Sequence, residues 1–99
     1  MVEIQKESRV IIVLSNRIDS MNADETQEII LDALDIVDRD IVIDVSQLIY
    51  ISSAGLQVVL KCAQLAQEQQ KSCFLKGAEG TIREIFQVSG FLTFIKELT

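Results

Sequence analysis

The chain has 99 residues, which is enough for one domain that buries its own core without disulfides or a metal. Its net charge of −6 disfavours binding to nucleic acid or to an anionic membrane. It contains no histidine, the commonest general base and metal ligand, so enzymatic interpretations are weakened and we predict no cofactor and no metal.

No stretch of the sequence resembles a membrane span or a signal peptide. A spanning helix needs roughly 20 apolar residues, and residues 1–7 lack the basic-then-apolar order of a secretion signal. We therefore expect a cytoplasmic protein. Cys62 and Cys73 have no cysteine or histidine at metal-ligand spacing nearby, so we predict that both are buried, reduced thiols.

Negative charge is concentrated in residues 19–44. This segment holds nine carboxylates and one arginine, a net charge of −8, whereas the rest of the chain is at +2. A partner with a basic surface is the expected complement to such a segment.

The first half of the chain predicts a hairpin followed by a helix. The alternation in residues 2–7 and the apolar run 9–14 are typical of two strands, and the polar residues 15–22 predict a loop. Asn22 followed by Glu25 favours a helix start, and we expect the helix to cover residues 23–37. Its acidic stripe is interpreted mainly as a solvated face, and its apolar stripe packs on the sheet. The acidic stripe is Glu25, Glu28, Asp32 and Asp35, and the apolar stripe is Ile30, Ala33, Leu34 and Val37.

The second half alternates strands and helices. We predict strands over residues 40–45, 71–76 and 91–95, and helices over residues 54–70 and from about residue 78 to a stop at Gly90. Alternation after a hairpin implies parallel pairing with right-handed crossovers. The predicted fold is an α/β single domain, a mostly parallel, mixed sheet of four to five strands with helices packed against it.

The helix at residues 54–70 has an apolar arc wider than one sheet face requires. Val58, Cys62 and Leu65 form a second apolar row beside the first. Two interpretations stay open: the third helix covers this row, which we prefer, or part of the row is a docking surface for a partner.

Ser52 and Ser53 lie where that helix begins. The first backbone N–H groups of a helix have no intrahelical partner and carry the positive end of the helix dipole. A serine there can cap the helix, or it can present a hydroxyl at which a phosphate would be tolerated. The sequence leaves both interpretations open.

The segment Tyr50-Ile-Ser-Ser-Ala-Gly-Leu56 resembles the signature of the STAS domain (sulphate transporter and anti-sigma factor antagonist), most closely that of stand-alone bacterial anti-sigma factor antagonists. The resemblance extends from about Val10 to Phe94. In the loop before the first helix, Asn16 replaces a family glycine and Asp19 matches a family aspartate; asparagine tolerates a left-handed backbone. Family members generally continue into another helix, so we expect residues 1–99 to form one STAS domain whose terminal helix is absent or reduced.

The resemblance implies a phosphorylation switch. In the family, the serine or threonine two residues before the motif glycine is phosphorylated by a partner that is both anti-sigma factor and serine kinase. This implies Ser53 as the acceptor, with Ser52 as second choice, and a separate serine phosphatase that reverses the reaction. The unphosphorylated form would bind the anti-sigma factor. The partner-binding residues so implied are Asp19, Ser52, Ser53, Ala54, Gly55, Leu56, Val58 and Cys62.

Other functions remain open at this point. Some small STAS proteins dock on the ATPase of a lipid-transport ABC complex, and others serve partner switching with an output other than a sigma factor. A hydrolase with Ser53 as nucleophile is disfavoured because the chain has no histidine to act as base. Asp19 and Asp44 are expected near strand ends, where they would either flank Ser53 or cap loops.

Overall fold

A computed structural model describes residues 2–34 and 38–98 of the chain. The elements in chain order are β1 (Val2–Lys6), β2 (Val10–Ile18), α1 (Ala23–Ala33), β3 (Ile41–Ile51), α2 (Ser53–Glu68), β4 (Cys73–Lys76), α3 (Gly80–Val88), a 3₁₀ turn (Phe91–Thr93) and β5 (Lys96–Leu98).

The five strands form one sheet in the order β1-β2-β3-β4-β5. The β1–β2 hairpin is antiparallel, and every later pair is parallel. Parallel neighbours need a crossover connection, and α1, α2 and α3 lie in the three connections. The predicted α/β fold with a mixed sheet is confirmed.

The main core lies between the helices and one face of the sheet. Alternate strand residues such as Ile12, Ile43 and Leu75 point into it, since side chains alternate between the two faces of a strand. Helix residues such as Val59 and Phe86 meet them there. The same sheet carries the ends of β2 and β3, where the candidate site is found.

Two predicted strand ends were wrong. Residues 15–18 continue β2 instead of forming a loop, and β3 runs to Ile51 instead of stopping at Val45. The two extensions pair with each other through two register shifts, and Asn16 adopts a φ of 63° at this irregular segment. Because asparagine tolerates the left-handed region, the chain can stay paired through this irregularity.

The C-terminal assignment also differs from the prediction. Residues 91–95 are not a strand: Phe91 begins the 3₁₀ turn, and the Ile95 N–H donates to the Phe91 carbonyl at 2.9 Å. Both side chains are buried on the same side of this turn, an i, i+4 spacing that a short apolar run does not distinguish from a strand. The last strand is Lys96–Leu98 instead.

The helix bounds are close to those predicted. α2 and α3 begin and end within two residues of the expected limits, and Gly90 follows α3 with a φ of 83°. α1 ends at Ala33, and the predicted extension containing Asp35 and Val37 lies outside the described residues.

Cys62 and Cys73 provide a test of the core. Both thiols are buried, and burial raises the pKa of each to about 12. Since the thiolate is the reactive form, we expect native protein at pH 8 to react with Ellman's reagent at least about 100-fold more slowly than protein in guanidinium chloride. A fast-reacting thiol in the native protein would contradict this burial.

Candidate functional site

Ser52 and Ser53 occupy different positions at the junction of β3 and α2. Ser52 is the N-cap of α2: its backbone is extended, and its hydroxyl accepts a hydrogen bond from the Gly55 N–H at 3.3 Å. Its own N–H donates to the Ile18 carbonyl at 2.9 Å. The capping role that the sequence left open therefore belongs to Ser52.

Ser53 is the first residue of α2, and its side chain is exposed. Its hydroxyl makes no hydrogen bond within residues 2–34 and 38–98. The first turn of α2 also carries no acidic side chain. Ser53 thus presents a free hydroxyl at the positive end of a helix dipole.

Gly55 brings the start of α2 against the ends of two strands. A Cβ atom at this position would lie 2.6 Å from Cγ1 of Ile51 and 2.9 Å from the carbonyl oxygen of Ile18. Such a close approach leaves no room for a side chain, and the glycine allows it. The helix start is therefore fixed relative to β2 and β3.

Asp19 organises the loop that follows β2. Its carboxylate accepts hydrogen bonds from the Met21 N–H at 2.9 Å and from Nε of Arg17 at 3.0 Å. These bonds, that from Met21 first, hold the pKa of Asp19 below its usual value, so the group stays ionised. Because Asp19 directly follows Ile18, whose carbonyl accepts the Ser52 N–H, this loop lies beside the start of α2.

Asn22 precedes α1, as predicted, but its side chain does not cap the helix. Its Oδ1 accepts a hydrogen bond from the Asp19 N–H, and its Nδ2 donates to the Arg17 carbonyl, both at 2.9 Å. The side chain thus braces the Asp19 loop, and the helix start that Asn22 and Glu25 predicted is confirmed at Ala23.

Exposed apolar side chains surround the two strand ends. Met21, Ile49 and Tyr50 are all exposed, and the Arg17 guanidinium lies 5.1 Å from the centre of the Tyr50 ring. In the sequence, Met21 and Ile49 carry no signal of a site, and Tyr50 is named only as the first residue of the signature segment. Ile49 and Tyr50 lie on the part of β3 beyond Val45, which the sequence did not predict as a strand.

A groove opens between α2 and α3 near the start of α2. It is lined mainly by Leu56, Ile85 and Val88, has a volume of about 480 Å³, and includes Glu84 at its border. Val88 is 82% exposed. Leu56 lies three residues after Ser53, on the same side of α2, so the groove and the Ser53 hydroxyl belong to one surface.

Three predicted partner-binding residues are buried and not on that surface: Gly55, Val58 and Cys62. Val58 and Cys62 are only 2% and 1% exposed and belong to the main core, so the prediction that they contact a partner is wrong. The docking interpretation of the second apolar row fails for these two residues. α2 buries a wide arc because it contacts α1 as well as β3 and β4.

Asp44 does not flank Ser53 either. It lies within β3, paired with Val13 and Lys76, and its carboxylate accepts hydrogen bonds from the Ser46 N–H and hydroxyl. Seven residues separate it from Ile51, about 23 Å at roughly 3.3 Å per residue of strand. Of the two candidate aspartates, the structure brings only Asp19 to the site.

Comparisons with known proteins agree with this fold. The family model of the STAS domain matches residues 1–99, and the chain belongs to the STAS domain family, among the anti-sigma factor antagonists. It is 36% identical over 84 residues to BtrV of Bordetella bronchiseptica, a protein named as an anti-sigma factor antagonist, covering 85% of this chain and 72% of BtrV.

Solved structures show the same fold at lower identity. The anti-sigma factor antagonist SpoIIAA in its unphosphorylated form is 20% identical with a TM-score of 0.83, covering 100% of this chain and 89% of that chain. Its phosphorylated form, described as a Bacillus cell fate determinant, is 20% identical with a TM-score of 0.75, covering 100% and 92%.

Two further properties concern the described residues alone. Across residues 2–34 and 38–98, no helix has both the length and the apolar character that crossing a membrane requires. In the same part of the chain, no three cysteine, aspartate or glutamate side chains gather in a way that could hold a metal ion.

Alanine substitutions at the two serines should have different effects on the free energy of unfolding. Ser52→Ala removes the cap of α2 and should lower the free energy of unfolding by about 1 kcal/mol. Ser53→Ala removes an exposed hydroxyl that makes no hydrogen bond in the described part of the chain, and it should change the free energy of unfolding by less than about 0.5 kcal/mol. Urea unfolding of both variants beside the wild type measures this, and equal losses would contradict the assignment of Ser52 as the cap.

Proposed function

We propose that this protein is an anti-sigma factor antagonist that changes partners through phosphorylation of Ser53. The observation that carries the proposal is the division between the two serines: Ser52 is engaged as the helix cap, whereas the Ser53 hydroxyl is exposed and makes no hydrogen bond in the described part of the chain. In this proposal the chain is a binding module of the cytoplasm and performs no catalysis itself.

The phosphorylated form is expected to keep its fold. A phosphoryl group adds about −1.5 to −2 charges at pH 7. The dipole of α2 would stabilise that charge by about 0.3–1 kcal/mol, and the first turn of α2 holds no acidic side chain to oppose it. The switch therefore needs no rearrangement within this chain.

The effect of the phosphate falls on the interface. A partner that covers Ser53 would bury the added charge against its own nucleotide or acidic groups, where desolvation and repulsion are costly. Each 1.4 kcal/mol or so changes affinity tenfold, so a penalty of a few kcal/mol is enough for release. The partners in this scheme are an anti-sigma factor with serine kinase activity and a separate serine phosphatase.

The surface around Ser53 supports a protein partner. Its exposed apolar residues and the Leu56–Val88 groove are typical of a docking surface, and the acidic segment 19–44 suits a partner with basic groups. SpoIIAA, which shares this fold, has been solved in phosphorylated and unphosphorylated forms. Phosphorylation of a relative of the same fold is consistent with the proposed switch.

The phosphorylation site can be tested directly. We expect incubation with ATP and the host's candidate serine kinases to add one phosphate, which intact mass and site mapping would place on Ser53. Ser53→Ala should abolish the modification, and Ser52→Ala, the matched control, should retain it. Loss with Ser52→Ala alone would move the site to Ser52. Absence of any kinase that binds or modifies the protein would contradict the proposal and favour a docking role on a transport ATPase.

The groove can be tested separately from the phosphate. Val88→Asp places a charge in the apolar groove and should weaken binding of the unphosphorylated protein to the kinase at least about tenfold. Ser8→Asp adds the same charge in the β1–β2 turn and should leave affinity within about twofold. Isothermal titration calorimetry measures both. Val88 is 82% exposed but ends α3, where a negative charge opposes the helix dipole by about 0.3–1 kcal/mol, so the thermal midpoint should fall by less than about 8 °C. Equal affinities for the two variants would exclude the groove from the interface.

A further inference from the structure

A second groove lies far from Ser53, between the second half of α2 and the C-terminal segment. It has a volume of about 360 Å³, and its apolar lining includes Leu60, Ala63, Cys73 and Phe94. Cys73 is paired with Ile41, the first residue of β3, whereas Ser53 lies two residues beyond Ile51, the last residue of that strand. This groove, which we call the α2–β5 groove, therefore lies toward the opposite end of the sheet from the Ser53 surface.

Phe94 is an exposed aromatic ring held in a fixed place. It is 51% exposed, and its ring packs on Phe91 with centroids 5.2 Å apart. Phe91 in turn makes an edge-to-face contact with the buried Phe86 at 5.6 Å. A ring anchored in this way loses little conformational freedom on binding, which is a property of aromatic hot spots in interfaces.

The charge of the α2–β5 groove is opposite to that of the protein. Lys71 and Lys96 line it, and within the described residues neither ammonium group forms an ion pair or a hydrogen bond. The adjacent face of α2 contributes the neutral Gln64 and Gln67. In a chain of net charge −6, two unpaired lysines beside an anchored aromatic ring favour an acidic ligand.

We propose that the α2–β5 groove is a docking site for an acidic amphipathic helix of a partner protein. The apolar floor and Phe94 would receive the apolar stripe of such a helix, in the helix-in-groove mode of recognition. Lys71 and Lys96 would pair with its flanking carboxylates and set its orientation. This proposal goes beyond the Ser53 switch and does not depend on it, since the two surfaces lie toward opposite ends of α2.

The test uses the full chain and a defined probe. The probe is an 18-residue synthetic helix with leucine at i, i+3, i+4 and i+7 spacing and glutamate elsewhere. Its binding is measured by the changes that it causes in the amide chemical shifts of the full chain. We expect saturable shifts centred on residues 60–73 and 94–96, and affinity that falls as salt is raised. A peptide with lysine in place of every glutamate should not bind there.

Variants assign the contacts. The double variant K71E/K96E should weaken binding of the glutamate peptide at least about tenfold, whereas K61E/K76E, which reverses two lysines outside the groove, should stay within about twofold. Phe94→Leu should weaken binding with an unchanged far-ultraviolet circular dichroism spectrum. Ser53→Glu should bind the peptide as the wild type does, which separates this test from that of the phosphorylation switch.

Several results would overturn the proposal. Shifts centred on Leu56 and Val88, equal binding of the lysine peptide, or full binding by K71E/K96E would each do so. Sedimentation equilibrium of the chain alone tests whether a second copy of this chain occupies the groove instead. If the wild type were a dimer that K71E/K96E dissociates, the groove would be an interface between copies of this chain and not a site for a partner's helix.

Discussion

The pairing of the outer ends of β2 and β3 is the constraint on which the site depends. It carries the two strands past their buried central residues to Ile18 and Ile51, and the Ser52 N–H then donates to the Ile18 carbonyl. The start of α2 is thereby tied to both strands, and Gly55 permits the close contact that this requires. Without the pairing, the exposed serine would lie on a flexible turn rather than at a fixed helix end.

This anchoring explains how two adjacent serines come to differ. The hydrogen bond from the Gly55 N–H engages the Ser52 hydroxyl and leaves the Ser53 hydroxyl outside the cap. A charge added at Ser53 then meets a helix terminus whose position is already determined by backbone contacts. The added charge therefore acts mainly on the partner that covers Ser53, because the fold of this chain accommodates both the phosphorylated and the unphosphorylated serine.

The sequence predicted the hairpin, the three helices and the main core, since each has a strong local period. It did not predict the extension of β3, because Ser46 and Gln47 interrupt the apolar run and the pairing that holds them is made with β2, far away in sequence. Periodicity left the row of Val58 and Cys62 either covered by a neighbouring helix or open to a partner, because it does not reveal how many elements a helix contacts. The site was located by its motif, but the roles of the two serines depended on one hydrogen bond.

The two grooves differ in how they can respond to phosphorylation. The Leu56–Val88 groove begins within one turn of Ser53, well inside the distance of about 8 Å over which charges act at physiological salt. Lys71 of the α2–β5 groove lies beyond the far end of α2, a helix of 16 residues that spans about 24 Å at 1.5 Å per residue. Screening therefore weakens the effect of the phosphate on this lysine, and a partner that it holds is expected to stay bound while another is released at Ser53.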